Sequence, residues 1–240
     1  MFLYLLKTPR GASFRKRVLC KAMPKKLNKP RILGVLAGGD MPLEHVATWV
    51  DSADIIVAAD GAANTLYSCG VIPHTTVGDL DSIASSTKDH QVELIHIEDQ
   101  DTSDCDKLLT FAADRGYTDL TLLCSEGDLL DHVLGNLYSA ARSNLKIRLA
   151  LRRGIAHILR GPTHTEFETP RDTRLSLLPL TPCTGVTISG AKWPLKNATL
   201  SPLGQISLSN QASEKVEVQI DTGAAVLFLS HQDLETPTWD

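Results

Sequence analysis

The sequence predicts an α/β fold in two parts, a mostly parallel α/β domain followed by a small antiparallel β-sandwich or barrel domain. Three observations carry this. Buried-strand patterns alternate with helical patterns from residue 32 to about 145, as βαβ units around a parallel sheet do. After Asn144 the pattern changes to short alternating segments split by Gly, Pro and Asn, as in an all-β sandwich or barrel. The chain has 240 residues, 42% hydrophobic and 22% charged, enough to bury a core and typical of a soluble globular protein.

The elements follow in order. "RILGVLAGGD" reads as a buried strand ending in a glycine turn. "LEHVATWVDSA" has helical spacing, with Leu43, Val46, Ala47 and Val50 on one face. "DIIVAAD" is a second buried strand and leads into a helix that stops at Gly70. "HTTVGDLDS" is a short strand with an acidic exit loop, and "VELIHIED" alternates as a strand, with His96 expected in the core. "SDCDKLLTFAADRG" is a helix capped near Ser103 and closed by Gly116. "DLTLLCSEGD" is a strand and turn, and "LLDHVLGNLYSAARSN" a long amphipathic helix. The β segments are "KIRLALRRG", "AHILRG", "TEFETP", "RLSLLPL", "GVTISGA", "GQISLSN", "KVEVQI" and "AAVLFLS", with a frayed tail after them. The expected division is a basic, flexible extension at 1–31, the α/β domain at 32–145 and the β domain at 146–240.

Charge is unevenly spread. Residues 1–31 hold ten Lys/Arg and no Asp/Glu, which leaves 14 basic against 28 acidic residues in 32–240. An acidic body argues against nucleic-acid binding, which needs a basic footprint. If such a body handles phosphates, a metal ion bridges the like charges. No apolar run approaches the roughly 20 residues needed to span a bilayer. The leader is too short in its apolar part for a signal peptide. The expected location is therefore cytoplasmic, although an acid-poor, Arg-rich leader is also the composition of an organelle transit peptide. Five scattered cysteines without a Cys-x-x-Cys pair fit a reducing compartment and no zinc site.

In an open parallel sheet, ligands bind outside the carboxyl ends of the strands. Gly38-Gly39-Asp40, Asp60-Gly61, Asp79/Asp81 and Asp99/Asp101/Asp104 all fall there. An isolated Asp-Leu-Asp is also an ordinary solvated turn, and Ser103 with its acidic neighbours is also an ordinary helix cap. Several carboxylates crowded at one sheet end, however, would repel one another without a cation. Magnesium takes one or two carboxylates, waters and substrate phosphate oxygens. The two acidic loops are thus expected to hold Mg2+ for phosphoryl chemistry.

The ordered motifs "ADGAANTLYSCGVIPHTTVGDLDSI", "DQDTSDCDKLL" and "GDLLDHVLGNL" resemble those of thiamine pyrophosphokinases, over most of Ala59 to Leu137, with a weaker echo from Gly190 to Asn210. The resemblance implies an α/β catalytic domain joined to a C-terminal β domain, a homodimer, and transfer of the pyrophosphoryl group of ATP to the hydroxyl of thiamine with magnesium, releasing AMP. It assigns Asp60, Gly61 and Asn64 to ATP, with Ala62 where the family has a second glycine. It assigns Asp79, Asp81, Asp101 and Asp104 to the metal, with Leu80 in place of an aromatic and Ser103 in place of Thr. Asp131, followed by His132, falls to the ATP side, and Asn136 matches a later helix Asn. Trp193, Ser209 and Asn210 fall to thiamine, whose cationic thiazolium ring invites an aromatic face. Asp81 and Asp104 are the candidates to accept the hydroxyl proton. The family's thiamine site lies between subunits, so Trp193 and Ser209 are expected to serve a partner's carboxylates. Two other readings stay open: another Mg-dependent phosphotransferase or nucleotide hydrolase, and a catalytically weak thiamine-binding protein.

Overall fold

A computed structural model describes residues 29–38, 41–83, 92–127, 129–230, 237 and 239. Residues 1–28, Gly39, Asp40 and most of the tail, on which the sequence reading also drew, lie outside the described residues.

The first half is built from strand–helix units. In chain order these are β1 (Ile32–Val35), α1 (Leu43–Ser52), β2 (Ile55–Ala59), α2 (Ala62–Ser68), β3 (Thr75–Gly78), β4 (Glu93–His96), α3 (Asp104–Asp114), β5 (Asp119–Leu123) and α4 (Leu130–Arg142). With β6 (Lys146–Leu151), the strands pair in parallel in the order β6-β5-β1-β2-β3-β4. Every residue of β1, β2 and β3 is buried, because helices cover both faces of a parallel sheet. One face packs against α1 and α2 through Val46, Trp49, Ala63 and Leu66. The other packs against α3 and α4 through Leu108, Leu109, Phe111 and Ala140. Leu43, expected on the buried face of α1, is its first residue and is 57% exposed. His96, expected in the core, is exposed, because β4 is the edge strand and alternates.

Lys146–Leu151 joins the parallel sheet beside β5 and then pairs antiparallel with β7 (Gly154–Arg160). The sequence reading groups this segment with the antiparallel strands, which holds for β7 but not for β5, since an apolar run reads alike for either pairing. The remaining strands are β8 (Thr163–Glu168), β9 (Arg174–Pro179), β10 (Cys183–Ala191), β11 (Leu195–Leu200), β12 (Ser207–Ile220) and β13 (Ala224–Ser230). The path β11-β10-β12-β9-β13-β7-β6 continues the sheet from one half into the other. Early β12 pairs with β9, whereas its later residues pair with β8 and β10. The strand therefore turns from one layer into the next, closing a sandwich over Leu175, Leu177, Val186, Ile188, Val216 and Val218. Two segments read separately from the sequence are this single strand. β11 was not read at all: "LKNATL" carries polar residues and a left-handed Asn197 (φ 47°), which blunt the strand pattern.

The two halves share side chains. On β7 and β13, Ile155, Ala156, Ile158 and Val226 face the α/β cores, while Leu159, Ala225, Leu227 and Leu229 face the sandwich. Arg160, at the end of β7, donates to the carbonyls of Ala140 (2.6 Å), Ala141 (3.0 Å) and Leu145 (2.9 Å). The first two are carbonyls left open in the last turn of α4. Two described residues toward the ends, Arg31 and Trp239, are tied to the first half. Arg31 bonds Asp54 through its backbone and guanidinium. Trp239, in a tail expected to fray, meets Trp49 edge-on at 5.4 Å and donates to Ser52 Oγ at 3.2 Å.

Candidate active site

The exits of β2 and β3 lie side by side, since Ala59 pairs with Val77. Asp60 follows β2, and Asp79 and Asp81 follow β3. Carboxylate oxygens of Asp60, Asp79 and Asp81 lie within 4.8 Å of one another. The backbone is bent to achieve this. Asp60 (φ 33°) and Leu80 (φ 62°) both adopt left-handed conformations, uncommon for side chains other than glycine and costly for a bulky one. Gly78 is required between them, because a Cβ there would sit 2.8 Å from Asp60 Cβ. Asp60 is 4% exposed and its Oδ1 is buried without a hydrogen-bond partner.

The second acidic loop reaches this group from β4 and α3. Gln100 donates to Asp79 Oδ2 at 3.2 Å. That amide, then the Asp81 backbone N–H, holds the Asp79 carboxyl below its ordinary value. Asp99 accepts from the Asp101 backbone (2.9 Å) and the Thr102 hydroxyl (2.6 Å), so it shapes the loop. Asp101 itself is exposed and is not one of the three clustered carboxylates. Ser103 caps α3 in a capping box with Asp106, accepting from Asp106 N at 3.1 Å. Asp104, the first helical residue, is half-buried. Burial pushes its carboxyl up, Asp60 adds to this, Lys107 opposes it, and Asp79 and Asp81 push further upward. Asp104 therefore feels the negative charge of the three-carboxylate group.

Crowded carboxylates, a buried Asp60 oxygen without a partner, and a fourth carboxyl pushed up by their charge fit a hard divalent cation such as magnesium. The sequence reading did not place Asp60 with the metal set, and it passed over Gln100 and Lys107. Lys107 carried a usable signal: it lies three residues after Asp104, hence on the same side of the helix.

The other predicted residues are placed as follows. Gly61 is the N-cap of α2, next to Ser82, and Asn64 donates to the Ser82 carbonyl at 2.7 Å, tethering the acidic loop. Ala62 is fully buried among core side chains. Asp131 is exposed in the first turn of α4 and accepts from the His132 backbone at 3.0 Å. Trp193 lies in the β10–β11 turn, 55% exposed. Asn210 is buried and clamps it, accepting from Trp193 N (3.1 Å) and donating to its carbonyl (2.7 Å). Ser209 (φ 59°) accepts from Arg174 at 2.8 Å. Along the sheet, β12, β9, β13, β7, β6, β5 and β1 separate β10 from β2. The Trp193 group and the carboxylates thus occupy opposite parts of the sheet path.

Two family models match the chain. One described as "Thiamin pyrophosphokinase, catalytic domain" covers residues 46–151, and one described as "Thiamin pyrophosphokinase, vitamin B1 binding domain" covers residues 164–227. The thiamine pyrophosphokinase of Bacillus subtilis (strain 168) is 25% identical over 194 residues, which is 75% of this chain and 89% of that protein. Thiamine pyrophosphokinase 1 of Oryza sativa subsp. japonica is 28% identical over 197 residues, 69% and 74% of the two chains. Among solved structures, the Bacillus subtilis enzyme superposes with a TM-score of 0.71 at 22% identity, covering 85% of this chain and 100% of that one. The Candida albicans protein gives 0.70 at 18% identity, covering 85% and 90%. These superpositions establish the shared fold.

Proposed function

Because the chain belongs to the thiamin pyrophosphokinase family, we propose that it transfers the pyrophosphoryl group of ATP to the hydroxyl of thiamine, giving thiamine diphosphate and AMP. The observation that carries this reading to the residues is the convergence of Asp60, Asp79 and Asp81 at the ends of neighbouring parallel strands.

Asp60, Asp79 and Asp81 would hold magnesium, with Asp104 beside them and Asp101 on the same loop. When bound, the ion neutralises the ATP phosphates. Asp131 and the turn Asp60–Asn64 flank the nucleotide side. The thiamine hydroxyl oxygen forms a bond to the β-phosphorus in line, the bond from that phosphorus to the bridging oxygen of the α-phosphate breaks, and AMP leaves. The hydroxyl proton passes to Asp81 or Asp104. Positioning and charge stabilisation supply most of the acceleration in such transfers.

Trp193, Ser209 and Asn210 are proposed to hold thiamine, the exposed indole stacking on the thiazolium ring. Their separation from the carboxylates along the sheet supports a homodimer in which one subunit's Trp193 serves its partner's carboxylates. No described helix is long and apolar enough to cross a membrane, and we place the protein in the cytoplasm. The test is incubation with ATP, Mg2+ and thiamine, followed by mass detection of thiamine diphosphate. AMP release without added thiamine would instead identify a nucleotide hydrolase, and tight thiamine binding without turnover a binding protein.

A further inference from the structure

Lys107 is 4% exposed, a rare situation for a lysine and a costly one unless its charge is compensated. Around it on α3, Cys105, Leu108, Leu109 and Ala112 are buried in the core. Its ammonium emerges toward the acidic loops, with Nζ 3.9 Å from Asp104 Oδ1. Its positive charge also contributes to lowering the carboxyls of Asp79 and Asp99. Across the group, the buried Asp60 Oδ1 has no hydrogen-bond partner. The fold therefore supplies one fixed cation from the core side to a set of carboxylates that otherwise repel one another.

We propose that Lys107 is a positioning residue, the built-in countercharge of the carboxylate cluster, which holds Asp104 in place and weakens divalent-cation binding before nucleotide phosphates are present. The inference rests on reading the cluster as the metal site of pyrophosphoryl transfer. A cluster without this charge would hold the divalent ion more tightly and with Asp104 displaced toward it. With Lys107, cation binding depends more on the added phosphate oxygens.

The experiment measures Mn2+ binding to the full chain by electron paramagnetic resonance without nucleotide, in wild type, Lys107→Met and Lys107→Arg. Turnover of each is measured in parallel. Lys107→Met is expected to bind Mn2+ about tenfold more tightly, since a positive charge a few ångströms from the ligands is gone. Its kcat is expected to fall at least about tenfold through the misplaced carboxylate. Lys107→Arg, which keeps the charge, is expected to return Mn2+ affinity toward wild type. Unchanged or weaker Mn2+ binding by Lys107→Met overturns the proposal, as does a drop in melting temperature with Mn2+ affinity intact. If wild type makes no thiamine diphosphate while the Mn2+ comparison comes out as expected, the assigned reaction falls and the countercharge role stands.

Discussion

Gly78 and Asp60 occupy neighbouring strand exits so closely that a methyl group on Gly78 would lie 2.8 Å from Asp60 Cβ. The glycine of the Gly-Asp-Leu-Asp motif thus belongs to the Asp60 carboxylate as much as to its own loop. Gly78→Ala is expected to displace Asp60, to cost about 1–3 kcal/mol as an overpacked contact, and to cut turnover at least about a hundredfold through the disturbed charge geometry. Thermal melts and AMP release from ATP and thiamine check this. Near-normal turnover would show that Asp60 takes no part.

Asp79→Asn is expected to abolish turnover and leave the fold intact, because Asp79 lies beyond the end of β3, outside the core clusters and only partly buried. Circular dichroism should match wild type. Substantial residual AMP formation would remove Asp79 from the site.

Asn210 and Trp193 separate support from contact. Asn210→Ala leaves the Trp193 backbone N–H and carbonyl without their side-chain partner, at a cost of about 1–3 kcal/mol. It should also raise the KM for thiamine while leaving that for ATP unchanged. Trp193→Ala should raise the thiamine KM with little change in melting temperature, since the indole is largely exposed. Equal effects on both substrates would contradict the assignment.

Arg160 joins β7 to the end of α4 with two bonds and to Leu145 beyond it with a third. Arg160→Ala strands those carbonyls and is expected to destabilise the protein by about 2–4 kcal/mol, read as a lower urea midpoint. A change within experimental error would mean that water replaces the guanidinium without loss.

Burial pushes the Cys105 thiol up to about 12 and the Cys124 thiol up to about 11, from 9.0. The native state therefore keeps these protons after the unfolded chain has lost them. This stabilisation is complete below about pH 9 and is lost as pH rises toward 11–12, by at most about 1.4 kcal/mol per pH unit for each thiol. Urea midpoints should fall from pH 8 to pH 10, and less steeply in Cys105→Ala. Parallel slopes in the two proteins would exclude the Cys105 contribution.

The alternation of strands and helices, the Ser103 cap and the gathering of acidic loops at strand ends were legible in the sequence, because each depends on local spacing. What escaped it depends on residues far apart in the chain. The sequence puts Asp60 at the same strand ends but on the nucleotide side; that its carboxylate joins those of Asp79 and Asp81 follows from the β2–β3 pairing. The burial of Lys107 comes from the packing of α3 against the sheet, which the i, i+3 spacing to Asp104 does not show. Trp193 is exposed in its turn and held through its backbone by Asn210, an arrangement that depends on the distant β12 and that its own neighbours in sequence do not state. The grouping of β6 with the antiparallel segments holds for its β7 side and misses its parallel pairing with β5, because a strand's composition does not state its direction.

The sharing of β7 and β13 between the helical layers and the sandwich bears on how the molecule can come apart. Cutting the chain after β6 would strip the α/β sheet of an antiparallel neighbour and expose Ala156, Ile158 and Val226 on the other fragment. It would also leave the end of α4 without Arg160. Neither piece retains a closed core, so the two halves are expected to melt in a single transition. A lesion deep in the sandwich would then lower the population of molecules with an assembled carboxylate cluster, although it touches none of those side chains.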